Sequence, residues 1–484
     1  MKNKFFRDIS ASSLQVIITQ LSGLIIFYIT SKWLDKKIFG ELNWSLALLM
    51  VSFAVLGCGI DQIAVRKTAA GNNVSDLLKA YLFHVIATGF LFIGILLIIR
   101  ACSNAFREQF NLLLLLGIGQ FFIFVSLPFK QIANGKEQFP LLLIMSTMAN
   151  MFKVTALFVL AYMGHTGLWY FAFIYTIAAA IELATCFYLG KRSLQLSISI
   201  KTSARKYKQL IRESLPQLGV TIVTSAIARF DWILLGLIST SVILAEYSFA
   251  YKAFELSTLP LLIIAPLLLP RITKLFTLPD GQPDQQKEQL FTLSRLEIAL
   301  SCLLSLILTI GWSPLIDGIT NNKYGVVNIH TIIILSCAVP FLYVNNILWA
   351  VNFAQKRMKF IVVVFFVSFL ITCAGDLLLI PFFRGEGAAI AYLAAVIIQT
   401  IHFTARTQIE KLTRIWICLF LSGGSALLTG FLVKYISGNA WIQAFTAVAI
   451  YILLICFFKQ LKFSDRMILK GNFLQAEFKE KPNK

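Results

Sequence analysis

Apolar stretches of about 20 residues recur along the whole chain, separated by short polar segments. A helix of about 20 apolar residues crosses the hydrocarbon core of a bilayer. The pattern therefore predicts an all-α polytopic membrane protein with about fourteen transmembrane helices. The approximate limits of the predicted spans are 9–31, 42–63, 78–99, 110–132, 140–163, 168–189, 214–236, 243–268, 293–313, 328–353, 360–382, 387–405, 415–434 and 440–458.

Lysine and arginine are distributed unevenly between the two sets of connecting segments. If both termini are cytoplasmic, the cytoplasmic segments hold 32 of the 43 Lys and Arg residues, the opposite segments hold 8, and 3 lie within spans. Connecting segments rich in Lys and Arg stay on the cytoplasmic side. We therefore expect a multi-pass membrane protein with both termini in the cytoplasm.

Composition agrees with this class and narrows the chemistry. Hydrophobic residues make up 58% of the 484 positions and charged residues only 14%, which leaves no room for a soluble domain. The net charge of +20 lies mainly in short cytoplasmic segments, so we expect it to face lipid headgroups and not nucleic acid. The eight Cys and four His show no ligand spacing, and we expect no metal, no cofactor and no catalytic residue.

The sequence contains a weak internal repeat. A shift of 205 positions aligns Glu41 with Glu246 and Arg66 with Arg271, each at the same topological point. Six spans per repeat give both repeats the same orientation, and parallel repeats are typical of transporters with a substrate path between the halves. We therefore predict two parallel six-helix lobes around a central cavity. The predicted divisions are 1–200 and 201–410 for the lobes, 411–460 for two additional helices, and 461–484 for a basic cytoplasmic tail.

Three segments resemble one family of membrane proteins. They are residues 34–42 (LDKKIFGEL), 230–236 (FDWILLG) with its continuation to Arg271, and 385–391 (GEGAAIA). Together they resemble the polysaccharide-flippase branch of the multidrug/oligosaccharidyl-lipid/polysaccharide exporter superfamily, the O-antigen and capsule repeat-unit flippases. The resemblance extends over about residues 5–460. The opening motif typical of lipid II flippases, Ser-Arg-x-x-Gly-x-x-Arg, is not found.

The resemblance implies a mechanism and a cargo. It implies alternating access in the inner membrane, with an undecaprenyl-pyrophosphate-linked oligosaccharide moved from the cytoplasmic to the outer face. Surface polysaccharide biosynthesis, of O-antigen, capsule or exopolysaccharide, would use this activity. Membrane lipids would surround the protein, and a polysaccharide polymerase and a chain-length regulator are the implied protein partners.

Ionisable side chains within the predicted spans are the candidate site residues, because a charge in the bilayer is costly unless it is paired or faces water. Arg229, Lys252 and Lys153 are the candidate cations for the pyrophosphate, since guanidinium and ammonium groups bind phosphate oxygens. The candidate acids, which would pair with these cations or carry a coupling ion, are Asp231, Glu255, Glu182 and Asp376. The alternative is an internal salt bridge that only stabilises packing, such as Lys252 with Glu255.

Two other function classes stay open. A polysaccharide polymerase or ligase would require a large outer loop with catalytic groups, whereas the predicted outer connections are at most about fifteen residues long. A multidrug or other lipid exporter of the same superfamily is the nearer alternative. Such exporters are expected to have twelve spans and fewer cytoplasmic cations.

Overall fold

A computed structural model of the chain contains only helices and their connections in the part of the chain that it describes. It describes residues 2–71, 73–102, 107–164, 167–261, 272, 283–407, 412–436 and 439–462, with side chains left undescribed at 2–13, 107, 283–290, 412–413 and 440. Arg271 and the predicted tail from residue 463 onward lie outside this part. The prediction of an all-α polytopic membrane protein is confirmed.

The chain forms two compact units, Met1–Ala245 and Glu246–Lys484. The predicted lobes at 1–200 and 201–410 rest on sequence repetition and stay a prediction. In the first unit the helices are α1 (Lys2–Trp33), α2 (Lys36–Leu56), α3 (Ile60–Ala69), α4 (Val74–Cys102), α5 (Arg107–Gly135), α6 (Phe139–Tyr162), α7 (Leu168–Arg192) and α8 (Ala204–Ile238). Helix α9 (Ser241–Ser257) begins in the first unit and ends in the second.

The second unit continues with long helices. They are α10 (Pro283–Thr320), α11 (Ile329–Ala354), α12 (Met358–Arg406), α13 (Leu412–Val433) and α14 (Ala440–Phe457), with a single 3₁₀ turn at Val326–Asn328 before α11. Helix α10 packs against α11, α13 and α14, and α11 packs against α12. A buried apolar core that includes Ile298, Val344 and Tyr451 joins α10, α11 and α14.

Eleven helices of the described chain are long and apolar enough to cross a membrane. Large apolar side chains lie on their outer surfaces; for example, Phe90, Phe158 and Leu378 are each more than 60% exposed. Exposed apolar faces of this extent are expected where lipid, and not water, covers the protein.

Helix α12 contains two predicted spans, 360–382 and 387–405, in one 49-residue element. Arg384, with φ 53° and ψ −126°, interrupts its helical geometry. Gly375 lies against Ala391, although 16 residues of straight helix would separate them by about 24 Å. The chain therefore reverses at Arg384, and α12 is a helical hairpin whose two arms correspond to the two predicted spans.

The second predicted span, 42–63, ends earlier than expected. Helix α2 stops at Leu56, and a separate short helix, α3, begins at Ile60. The interruption arises because Cys58 and Gly59 both have positive φ, at 51° and 68°. Gly59 also lies so close to the backbone of Gln217 in α8 that a Cβ atom would meet it at 2.8 Å.

Glycines set the contact between α2, α8 and the start of α9. A Cβ atom on Gly40 would overlap the backbone carbonyl of Ser241, and one on Gly236 would overlap the indole of Trp44. The same indole donates its Nε1–H to the Ile233 carbonyl at 3.2 Å. Two of the segments that carry the family resemblance therefore pack directly against each other.

We expect Gly387→Ala to destabilise the α12 hairpin. A Cβ atom there would stand 2.5 Å from the Leu379 carbonyl oxygen, a backbone atom that cannot rotate away. Overpacking of this kind costs about 1–3 kcal/mol, measured as a lower midpoint of thermal unfolding in detergent.

Gly311→Ala in α10 is the matched control for this substitution. No heavy atom lies within 4 Å of the corresponding Cβ position, and alanine favours a helix interior by up to about 1 kcal/mol over glycine. Equal unfolding midpoints for the two variants would contradict the hairpin geometry.

Candidate functional site

The first unit holds a cluster of ionisable side chains between α5, α6 and α7. The carboxylate of Glu182 in α7 forms an ion pair with the ammonium group of Lys130 in α5. It also accepts a hydrogen bond from the Ser126 hydroxyl, one turn earlier in α5, at 3.1 Å. The two charged side chains are only 10% and 15% exposed, so the pair is largely withdrawn from solvent.

Lys153 of α6 adds a second cation to this cluster. Its ammonium group lies 4.6 Å from the centre of the Tyr175 ring, and it interacts electrostatically with both Glu182 and Lys130. No carboxylate within 4 Å pairs with Lys153 among the described residues. Two lysines therefore share one carboxylate, which gives the cluster a formal charge of +1.

Helix geometry explains why these groups meet. Tyr175 and Glu182 are seven residues apart in α7, so both lie on one face two turns apart. Close packing also holds α7 against α5. Thr176 donates to the Leu115 carbonyl at 2.9 Å, and a Cβ atom on Gly119 would lie only 3.2 Å from Thr176. Helix α6 also packs against α7 and brings Lys153 to the same face.

Arg229 and Asp231 lie in the second half of α8 and have different surroundings. The half-buried Arg229 guanidinium lies 4.6 Å from the centre of the Trp232 ring and donates to the Ala228 carbonyl at 2.8 Å. Asp231 is buried, and its carboxylate accepts the backbone N–H of Trp232 at 2.8 Å. Each of these two candidates thus makes contacts within α8.

Lys252, Glu255 and Asp376 belong to the second unit. The Lys252 ammonium group and the Glu255 carboxylate are 2.6 Å apart, one turn from each other on α9, and both side chains are partly exposed. Asp376 is fully buried in the first arm of α12, where it interacts electrostatically with Cys373. The internal salt bridge between Lys252 and Glu255, which the sequence analysis gives as the alternative to a role in cargo binding, is thus present.

Several ionisable residues of the described helices are not among the sequence candidates, and Lys130 and Glu297 are two of them. Lys130 is counted with the cytoplasmic connection in the sequence, but α5 continues to Gly135 and places Lys130 beside Glu182. Glu297 lies in α10 and is only 3% exposed. The presence of an acid within predicted span nine is the signal that could have identified it.

A cavity of about 550 Å³ opens elsewhere in the first unit, and none of the sequence candidates lines it. Its walls are formed by Phe83, Ile200, Lys201, Thr202, Ala204 and Tyr207. In the part of the chain that the structure describes, no group of three or more His, Cys, Asp or Glu side chains is placed to hold a metal ion.

The sequence matches one family model. The family is described as "polysaccharide biosynthesis protein", and the match covers residues 5–276, more than half of the chain. No protein of curated function is significantly similar in sequence.

The fold is similar to solved transporter structures. The lipid II flippase MurJ, in an inward closed conformation, aligns with a TM-score of 0.73 and 14% identity, over 92% of this chain and 98% of that one. An inward-facing multidrug resistance MATE family transporter of the MOP superfamily aligns at 0.64 and 13% identity, over 89% and 100%. A MATE transporter of Vibrio cholerae aligns at 0.55 and 12% identity, over 86% and 98%. At these identities the similarity shows a shared fold.

We expect Lys130→Met to destabilise the first unit strongly, because it leaves the buried Glu182 carboxylate without its ion-pair partner. Breaking one side of a buried pair costs about 3–5 kcal/mol. The double variant Lys130→Met/Glu182→Met removes both charges and should regain most of the loss, measured by thermal unfolding in detergent.

The exposed Lys191 of α7 provides the control, since Lys191→Met should change stability by no more than about 0.5 kcal/mol. A double variant as unstable as Lys130→Met alone would show that the pairing of charges is not the reason for the loss.

Proposed function

Because the chain belongs to the polysaccharide biosynthesis protein family, we propose that it is a flippase for lipid-linked oligosaccharides. It moves undecaprenyl-pyrophosphate-linked repeat units from the cytoplasmic to the outer face of the inner membrane by alternating access between two lobes. The repeat units then enter a surface polysaccharide such as O-antigen, capsule or exopolysaccharide. The activity is transport and includes no catalytic step.

The observation that carries this proposal is the cluster of Lys130, Lys153 and Glu182 within the spans of the first unit. A pyrophosphate-linked lipid must bring phosphate charge into the membrane, and a site for it needs cations that are not fully neutralised. Lys130 is engaged by Glu182, whereas Lys153 contacts an aromatic ring. An ammonium group held in this way can exchange its ring contact for stronger charge-assisted hydrogen bonds to phosphate oxygens.

The remaining candidates complete the proposed cargo path. We propose that Arg229 and Lys252, like Lys153, bind the pyrophosphate during the transport cycle. Of the acids, Glu182 and Glu255 hold neighbouring lysines when the cargo is absent, and Asp231 and Asp376 carry charge or a coupling ion during the transport cycle. The contact between Lys252 and Glu255 is weak enough to exchange, because the pair is partly exposed.

Three further assignments belong to the same proposal. Both chain termini lie in the cytoplasm, as the distribution of Lys and Arg indicates. Membrane lipids cover the exposed apolar faces of the helices. A polysaccharide polymerase and a chain-length regulator receive the cargo at the outer face.

We expect Lys153→Met to reduce translocation of an undecaprenyl-pyrophosphate-linked oligosaccharide in proteoliposomes. The loss of one hydrogen-bonded charge contact, about 1.5–3 kcal/mol, corresponds to a decrease of roughly 10- to 150-fold in the rate at low cargo concentration. The rate is measured as the fraction of cargo that becomes accessible to an enzyme on the far side of the bilayer.

Two variants make this result specific. Lys153→Arg keeps a cation at the position and should retain most of the activity, and Lys191→Met removes an exposed cation from α7 and should leave the rate unchanged. Wild-type translocation with an unaffected Lys153→Met variant would contradict the site. Absence of translocation by the wild-type protein would contradict the function itself.

A further inference from the structure

The carboxyl group of Glu297 is buried in α10 of the second unit. The residue is 3% exposed, and neither of its oxygens forms a hydrogen bond or an ion pair with any of the residues that the structure describes. It lies six residues beyond Phe291, where the apolar part of α10 begins. Buried polar groups in native proteins are nearly always hydrogen-bonded, so an exception of this kind requires an explanation.

The side chain of Glu297 belongs to a buried polar strip on α10. Ser294 and Ser301 are on the same side of the helix as Glu297, within about 60° of one another, and both are buried. The Ser301 hydroxyl donates to the Ile298 carbonyl at 2.7 Å, while the Ser294 hydroxyl is buried without a partner. An uncharged carboxyl group is compatible with such neighbours, whereas a carboxylate would require a cation.

The nearest cation in sequence does not serve as that partner. Arg295 lies two residues earlier and therefore about 160° around the helix from Glu297. Arg295 interacts electrostatically with Cys418 of α13, which places it on the side of α10 that faces α13. Glu297 therefore forms no salt bridge with Arg295, whereas Glu182 pairs with Lys130.

Among the residues that the structure describes, one titratable group of a neighbouring helix interacts electrostatically with Glu297. This is Tyr343 of α11, which is fully buried, interacts electrostatically with Glu297 and donates its hydroxyl to the Ser257 carbonyl at 2.8 Å. Ser257 is the last residue of α9. Other titratable or charged groups lie on the elements packed against α10. Arg414 of α13 lies over the Phe291 ring, and Cys418 of α13 interacts electrostatically with Arg295 and Lys462. Tyr451 of α14 donates its hydroxyl to the Ala299 carbonyl and interacts electrostatically with Cys302.

We propose that Glu297 is a proton-binding site of the second unit, which holds one proton when α10 and α11 are packed together. Removing an unpaired carboxylate from water costs far more free energy than protonating it. When water enters between α10 and α11, the O–H bond of Glu297 breaks and the proton passes to water. The resulting carboxylate accepts the hydrogen bond of Tyr343, which leaves the Ser257 carbonyl at the end of α9.

This exchange connects the protonation of Glu297 to the packing of α9, α10 and α11. Its use in driving transport rests on the proposed function, whereas proton binding by Glu297 does not. The two can therefore be tested separately. Glutamine has the shape of a protonated glutamate, so Glu297→Gln should fold with an unchanged unfolding midpoint.

The first test is infrared spectroscopy of the purified full-length protein at neutral pH. The carbonyl band of protonated carboxyl groups should lose the intensity of one group in Glu297→Gln and should persist in Glu297→Asp. The exposed Glu137 of the first unit is the control, and Glu137→Gln should leave the band unchanged. A band of wild-type intensity in Glu297→Gln would overturn the proposal, because it would show that the native carboxyl group is ionised.

The second test is translocation in proteoliposomes with and without an imposed pH difference across the bilayer. The translocation rates of the wild type and of Glu137→Gln should change when the pH difference is imposed. In Glu297→Gln, the rate with the pH difference should be about equal to the rate without it. A pH-dependent rate in Glu297→Gln would overturn the coupling role. If the wild-type protein moves no cargo, the proposed function fails, and the infrared result alone decides whether Glu297 binds the proton.

Discussion

A charged side chain inside a bilayer must be neutralised by a neighbour or must face water, and the described helices satisfy this constraint in different ways. Glu182 is neutralised by Lys130 across two helices, and Lys252 by Glu255 along one helix. Lys153 and Arg229 lie over aromatic rings. Glu297 has neither kind of partner. The way in which each charge is accommodated is the basis for the proposed roles of these groups in packing, cargo binding and proton binding.

Close contact between helices makes these arrangements possible. In a bilayer, helices associate mainly through packing, and small residues allow their backbones to approach. Gly40 and Gly236 allow α2 to contact α8 and the start of α9, while Gly387 allows the two arms of α12 to meet. Each contact fixes the rotation of a helix about its axis. The direction of charged side chains such as Arg229 on α8 and Asp376 on α12 depends on that rotation.

Properties that depend on neighbouring residues in the chain could be predicted from the sequence. The spans follow from the length of the apolar stretches, and the Lys252–Glu255 pair follows from a spacing of three residues on a helix. The partner of Glu182 could not be found in this way, because Lys130 is 52 residues away and lies beyond the purely apolar part of α5. Glu297 lies near the beginning of its span, where an acid commonly reaches the membrane surface, and only the packing of α10 shows that it is buried.

The location of lipid-linked repeat units in cells that lack this protein tests the central claim most directly. If the chain is the flippase, undecaprenyl-linked repeat units accumulate on the cytoplasmic face of the inner membrane and the surface polymer is lost. A copy of the wild-type gene should restore both. Repeat units that reach the outer face and remain unpolymerised would contradict the account and would indicate a polymerase or ligase. An unchanged pool of lipid-linked units would contradict it as well, in favour of export of a different compound.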